Sequence, residues 1–470
     1  MPLGRETLHP NTEQLVQSIV DGERINSPFV ASAIFNLARI QCESFSKETI
    51  VRQPPKVALV IPYHPLYEIG GLEIGTRKLA QGLKVLGHHT EIIAKGIYEH
   101  SDQRGTQISP EGIVVHGVGA GIEDIISYLL KRRSDFDIVQ WMEVFPPIPE
   151  TPETYNDKAE QQYLASILLR TLGINTYLST ATSGSITRRG VNQITWQSSK
   201  KHQPLNALLN CAMTGYIGAN SDIALEYSEA GLTKPQMNFE MVPFGVDDEH
   251  FKPCSKKEKQ HIRTRLGIPI DKTVILFIGR FVQRKQPDVL INIWKTLPLD
   301  IQEKGYLVFI GGGAGQGQPD SIYNEVCIQI DNYNKQRITQ GLGVGIHIFN
   351  KVPHDQMPTY IQACDSFFFP STREGLPLVI PEVMACGKPV FASNIPGIRE
   401  VISDPEIGIM FDPNNPKQIR DYLIDFISNP CKYASFGKTA REHVKRYWNW
   451  HSIASKLSNV YCKPNKLHTV

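Results

Sequence analysis

The apolar residues of this chain fall into two recurring patterns, and their alternation predicts the fold. Short unbroken runs at Val57-Ala-Leu-Val-Ile61, Thr273-Val-Ile-Leu-Phe-Ile278, Tyr306-Leu-Val-Phe-Ile310 and Ser366-Phe-Phe-Phe369 have the length and composition of strands buried on both faces. Stretches with helical spacing separate them, such as Leu72 to Leu86 and Pro287 to Leu297. Further strands are expected at 89–94, 112–116, 136–141, 175–179, 215–219, 346–349 and 389–392. Strand alternating with helix argues for an α/β fold of doubly wound, Rossmann-like domains. The pattern stops after about residue 219 and restarts at Thr273, so two such domains are expected. The turn-rich stretch Pro243 to Pro253 reads as their junction. Helical periodicity over 11–47 precedes the first strand, and a helical tail begins near Tyr433. The expected divisions are 1–53 as an N-terminal helical extension, 54–250 as the first domain, 251–432 as the second and 433–470 as a C-terminal helix.

Composition narrows this little. A formal charge of +2 with 20% charged residues gives no global reason to expect nucleic-acid binding. No apolar run approaches the roughly 20 residues that span a bilayer, and the first residues lack the apolar core of a signal peptide. The 8 cysteines are scattered without ligand spacing. The cytoplasm is the expected location, and no acidic metal cluster is apparent, so neither a metal nor a cofactor is expected.

The chemistry gathers after two strands. Ser371-Thr-Arg-Glu-Gly-Leu-Pro-Leu-Val-Ile-Pro-Glu382 follows the run at Ser366 to Phe369, placing Glu374 at the C-terminal edge of a parallel sheet, where ligands bind. The amides of Gly375, Leu376 and Leu378, around Pro377, are expected to open a helix and offer an anion site. A carboxylate beside an anion site suits a phosphorylated, polyhydroxylated ligand. After the strand at 273–278, Gly279 allows a tight turn, and Arg280 and Lys285 could both reach one pyrophosphate. Gly70-Gly71, between the first strand and first helix, permits close approach of a ligand to backbone, although a double glycine is more often a plain turn. Gly311-Gly-Gly-Ala-Gly-Gln-Gly317 is not a dinucleotide fingerprint, because Gln318-Pro319 separates it from the next helix.

Taken together, and in this order, these motifs resemble the retaining glycosyltransferases of family 4, the glycosyl transferases group 1, from about Lys56 to Tyr461. The resemblance implies a GT-B fold: two Rossmann-like domains facing across a cleft, with the last helix crossing back to the first domain. It implies a metal-independent, front-side transfer of a hexose from a nucleoside-diphosphate sugar to a hydroxyl, with retention. Arg280 and Lys285 would hold the diphosphate, Glu374 the sugar hydroxyls and Glu382 the ribose. Gly70, Gly71, Gly279 and the backbone of Gly375 to Leu378 would complete the donor site, with Gly312 or Gly313 near the nucleotide. Two departures stand out. Ser183, in Ser179-Thr-Ala-Thr-Ser-Gly184, replaces a histidine common in the family, and Phe244 replaces an asparagine. A hydroxyl can hydrogen-bond a sugar but is no base near neutral pH.

From Gln161 to Asn220 there is no acid, while Arg170, Arg188, Arg189, Lys200 and Lys201 supply positive charge. Ser183, Arg188, Arg189 and Trp196 are therefore candidates for binding a sugar, lipid-linked or other small hydroxyl acceptor. Basic residues mixed with apolar ones suit an anionic or membrane-bound acceptor and peripheral membrane contact. A solvated loop with ordinary charges fits the same residues equally well. A nucleotide-sugar hydrolase or epimerase of the same fold, and a catalytically silent nucleotide-sugar-binding scaffold, remain as alternative readings.

Overall fold

The structure, a computed structural model, describes residues 10–41, 54–67, 71–98, 101–143, 152–180, 213–229, 239–312, 322–350 and 352–462. The chain forms two compact units, dividing after Phe244 and again after Asn449. The expected divisions at 250 and 432 both fall inside the second of these units, Gly245–Asn449.

The first unit is built on β1 (Lys56–Ile61), β2 (His89–Lys95), β5 (Gly105–Ile108), β6 (Val114–Val118), β7 (Ile138–Trp141), β8 (Asn175–Thr180), β9 (Gly215–Gly218) and β10 (Phe239–Met241), with a small hairpin of β3 (Ile97–Tyr98) and β4 (Ser101–Asp102). The sheet order is β10-β9-β8-β7-β1-β2-β6-β5. Every pairing in it is parallel except β5 with β6. Five of the six β1 residues are fully buried, as their unbroken apolar run requires. β5 escaped the sequence reading because it is an edge strand, mostly exposed, with Ile108 70% open to solvent. Its turn into β6 passes through Gly112 at φ +74, so the strand expected from residue 112 begins at Val114.

Helix Gly71–Val85 turns Leu79, Ala80 and Leu83 into the core of this unit. The C-terminal helix Trp450–Cys462 packs on it so closely that a Cβ at Gly82 would lie 2.6 Å from the Ala454 methyl. His88 Nε2 meets Ser458 Oγ at 2.8 Å, and the Tyr461 hydroxyl donates to Gln140 Oε1. Helices Pro10–Val20 and Pro28–Gln41 bury Leu15, Val16, Ile19, Val30 and Ile34. They rest on helices Ile122–Lys131 and Pro152–Thr171, and Arg133 pairs with Glu13 at 2.7 Å. The extension thus belongs to the first unit's own helical layer.

The second unit contains β11 (Thr273–Ile278), β12 (Gly305–Ile310), β13 (Ile346–Phe349), β14 (Ser366–Phe369), β15 (Val390–Ser393) and β16 (Ile409–Phe411). Its order, β13-β12-β11-β14-β15-β16, is parallel throughout. Counted within the unit this is 3-2-1-4-5-6, the doubly wound order whose direction reverses between strands 1 and 4. Helix Ala434–Tyr447 lies in this unit, with Gly437 seated against the Gly387 carbonyl; a Cβ there would meet that oxygen at 2.2 Å. The helical tail is therefore split at Trp448-Asn449 and shared between the units. Among the described residues, no helix is long and apolar enough to cross a membrane, and 254, 327, 364, 386, 431 and 462 are free cysteines.

Candidate functional site

In the second unit, β11 and β14 are the neighbours at which the winding direction reverses. In doubly wound sheets, ligands bind beyond the C-terminal ends of the strands at this reversal point. The β11 loop carries Gly279, Arg280, Arg284 and Lys285, and the β14 loop carries Ser371 and Glu374. The two loops are tied together: Thr372 N donates to the Arg284 carbonyl at 2.8 Å, and the Thr372 hydroxyl donates to it at 3.1 Å.

Glu374 is the centre of the site. It is 8% exposed, and its Oε1 accepts from Lys285 Nζ at 2.8 Å, Arg284 Nη1 at 2.9 Å and Ser371 Oγ at 2.7 Å. Its other oxygen takes no hydrogen bond from the described residues. Burial alone would push this carboxyl up. The charges of Lys285 and Arg284, with the hydrogen bonds from Lys285 and Ser371, outweigh burial and hold it below the ordinary range. Glu374 is therefore an anion at neutral pH, with one oxygen anchored. Lys285 is displaced downward, chiefly by burial, which the Glu374 charge only partly offsets.

Lys285 reaches this position along a specific path. Its stem passes over Gly279, where a Cβ would come within 2.9 Å of Lys285 Cδ, and its Nζ sits 4.8 Å from the Phe369 ring centre. Gly279 is not in the left-handed region. Its lack of a side chain serves the lysine stem, and its carbonyl also packs on Gly311, where a Cβ would meet that oxygen at 2.0 Å. The next residue after Lys285, Gln286, adopts φ 51 and ψ 44, the one positive φ of a non-glycine among the described residues. Its Oε1 is buried without a partner. Gln286→Gly removes about 1 kcal/mol of backbone strain and an unpaired acceptor, against about 0.5–1 kcal/mol of added unfolded-chain freedom. The variant is expected to unfold at higher denaturant, and a lower midpoint would mean that the side chain packs usefully.

The other predicted residues divide. Arg280 is exposed and pairs with no acid among the described residues, unlike its partner Lys285. Glu382 lies in the short helix Val379–Ala385 and meets His354 Nε2 at 2.7 Å through Oε1. That helix starts later than expected, so the amides of Gly375 and Leu376 lie in the turn before it, with Pro377 buried and Leu378 at the N-cap. Gly397 supports this turn from below; a Cβ there would lie 2.0 Å from the Gly375 carbonyl oxygen. Gly71 is the exposed first residue of helix Gly71–Val85 in the first unit. Gly70, Ser183, Arg188, Arg189, Trp196 and Gly313 lie outside the described residues, and a Cβ on Gly312 would meet no atom of the described residues within 4 Å.

Sequence reasoning missed Arg284, Ser371, His354 and Gly397. Only Arg284 carried a local signal, as a second cation beside Lys285. Phe244 has a packing explanation within the first unit: its ring covers Gly75, where a Cβ would come within 2.6 Å, and lies 6.2 Å from Trp450. It also closes a small, mainly apolar cavity where Met142, Thr180 and Ala219 follow or end β7, β8 and β9.

Known proteins fit this picture. A family model described as glycosyl transferases group 1 matches residues 258–443, which include the whole site. A D-inositol 3-phosphate glycosyltransferase of Corynebacterium urealyticum is 27% identical over 245 residues, 52% of this chain and 55% of that protein. The chain thus spans about half the length of the first such relatives it matches. A GDP-mannose-dependent monoacylated alpha-(1-6)-phosphatidylinositol monomannoside mannosyltransferase of Corynebacterium glutamicum is 23% identical over 369 residues, covering 75% of this chain and 90% of its own. In fold, the chain resembles Anabaena HepE, solved with UDP, at TM-score 0.63 and 15% identity over 86% of this chain and 99% of that one.

Proposed function

We propose that this chain, a member of the glycosyl transferases group 1, transfers a hexose from a nucleoside-diphosphate sugar to a hydroxyl acceptor with retention of configuration. The observation that carries the reading is the convergence of Lys285, Arg284 and Ser371 on one oxygen of a buried, ionised Glu374 at the sheet's reversal point. Lys285 and Arg280 bind the donor diphosphate, and the second oxygen of Glu374 accepts hydrogen bonds from hydroxyls of the departing sugar. Glu382 accepts from the ribose, and the backbone of Gly375 to Leu378 adds amide donors to the phosphates.

The step balances without a protein base. The bond between the anomeric carbon and the phosphate oxygen breaks, and the acceptor oxygen bonds to the same face of that carbon. The acceptor's proton passes to the departing phosphate oxygen. Charge on the diphosphate grows as the bond breaks, so fixed cations stabilise the transition state more than the bound donor.

Two cations already suited to the diphosphate are the reason to propose that no metal is needed. Turnover is expected to be unchanged in chelator; activity that disappears and returns with magnesium or manganese would overturn this. UDP, GDP and ADP sugars form the donor panel. HepE has been solved with UDP-glucose, the mannosyltransferase relative is GDP-mannose-dependent, and a starch synthase of the same fold was solved with ADP. For the acceptor, the relatives' inositol phosphate and phosphatidylinositol monomannoside and the basic residues Arg188, Arg189, Lys200 and Lys201 support an anionic or lipid-linked hydroxyl compound; Arg170 is buried, donates to Asn175 Oδ1 at 2.6 Å and is not one of them. The deciding experiment is the panel with and without such acceptors, with the product's anomeric configuration read by NMR. A glycoside of inverted configuration, hydrolysis alone, or nucleotide-sugar binding without turnover would each replace this reading.

A further inference from the structure

We infer that His354 is a positioning residue for the donor nucleotide: it holds one oxygen of Glu382 and leaves the other for the ribose hydroxyls. The inference rests on the ribose role proposed for Glu382. His354 Nε2 and Glu382 Oε1 are 2.7 Å apart, with the side chains 42% and 12% exposed. Glu382 forms no other side-chain hydrogen bond with the described residues. A glutamate near the start of a short helix has three free torsions, and fixing it only when nucleotide arrives would cost side-chain entropy. A bond already made to one oxygen removes much of that cost.

His354 is itself well held. It follows β13 and starts a 3-10 turn, His354–Gln356, directly after Pro353, whose ring fixes the backbone entering it. Its ring packs at 5.4 Å and 53° on Phe251, which is 1% exposed. Three separate segments, around Phe251, His354 and Glu382, therefore set one carboxylate at the C-terminal edge of the sheet. A bond made only to tie a loop to a helix has no need of that edge or of a solvent-facing imidazole. Supporting residues locked by packing and hydrogen bonds are what a precise binding group requires.

The test compares binding of UDP, GDP and ADP, carrying the tightest forward, with binding of inorganic pyrophosphate, which has no ribose. His354→Ala is expected to weaken nucleotide binding about tenfold, the scale of one hydrogen bond to a charged group. Pyrophosphate binding should not change. His354→Gln, whose amide can donate to the same oxygen, should restore most of the loss. In His354→Ala combined with Glu382→Ala, the histidine change should add nothing to the Glu382→Ala defect, the mark of two residues acting through one contact. If Glu382→Ala weakens nucleotide binding and His354→Ala does not, the positioning role is wrong while the ribose role stands. If neither variant weakens it, both are wrong. Equal losses for nucleotide and pyrophosphate in His354→Ala would show that His354 acts only through the fold.

Discussion

Lys285→Ala is expected to lower turnover about 100- to 1,000-fold, the usual loss on removing a fixed stabiliser of developing charge. The structure adds that the protein should remain folded, with a thermal midpoint close to that of the parent. Burial displaces Lys285 downward, so its charged form is disfavoured in the folded state relative to the unfolded chain. Below the unfolded lysine value, that charge therefore opposes folding, and removing it relieves the cost. Glu374 keeps Arg284 and Ser371 as donors, so no buried carboxylate is orphaned, the usual reason that breaking such a pair is destabilising. A second signature follows from Glu374 itself. Its carboxyl is held down largely by Lys285, so without the lysine it protonates at higher pH, and the acid limb of residual activity should move up. Arg280→Ala should also lower turnover, without the acid-limb shift, since Arg280 does not touch Glu374 among the described residues. Kinetics against pH for the two variants, with thermal melts, check all of this, and normal turnover in both would remove the diphosphate assignment.

The part of this site legible in the sequence was the part written locally. Buried strands announce themselves as unbroken apolar runs, so β11 and β14 were readable, and with them the loops that follow. Three edge strands were not read this way, β5 because it is exposed and β10 and β16 because they have only three residues each, whereas the edge strand β13 was. Among the site residues, Glu374 and Lys285 stood out by type and position, but their ion pair spans 89 positions and was invisible. Arg284 was visible only as a neighbour of Lys285. A 3-10 turn ending in the left-handed Gln286 is what brings adjacent cations to one carboxylate. His354 carried no signal, because its meaning depends on Glu382, 28 positions away. Phe244 stood out only as a departure from the family's pattern, whereas its ring fits the space that Gly75 leaves. A substitution and its accommodating glycine, far apart in sequence, can be matched only after folding.

Glu374→Gln is expected to cost at least about 100-fold in turnover while the protein stays folded, at a lower thermal midpoint because buried Lys285 loses its counter-charge, and keeps its nucleotide site. The amide is nearly isosteric, and its oxygen can replace Oε1 as acceptor for Lys285, Arg284 and Ser371. The amide nitrogen then takes the place of the second oxygen. On the proposed role, an acceptor for sugar hydroxyls becomes a donor, and the negative charge that would face the positive character developing on the sugar is lost. The same change leaves Lys285 and Arg284 without their counter-charge, so a nucleoside diphosphate should bind as tightly as before or more tightly. Turnover and product affinity should thus move apart, which neither misfolding nor a damaged phosphate site would produce. Glu374→Ala, by contrast, removes both acceptors and should weaken the packing of the loop from Ser371 to Gly375 as well. Unchanged turnover in Glu374→Gln would show that the carboxylate only organises the cations. A parallel loss of turnover and nucleoside-diphosphate affinity would place it in the phosphate site instead of beside the sugar.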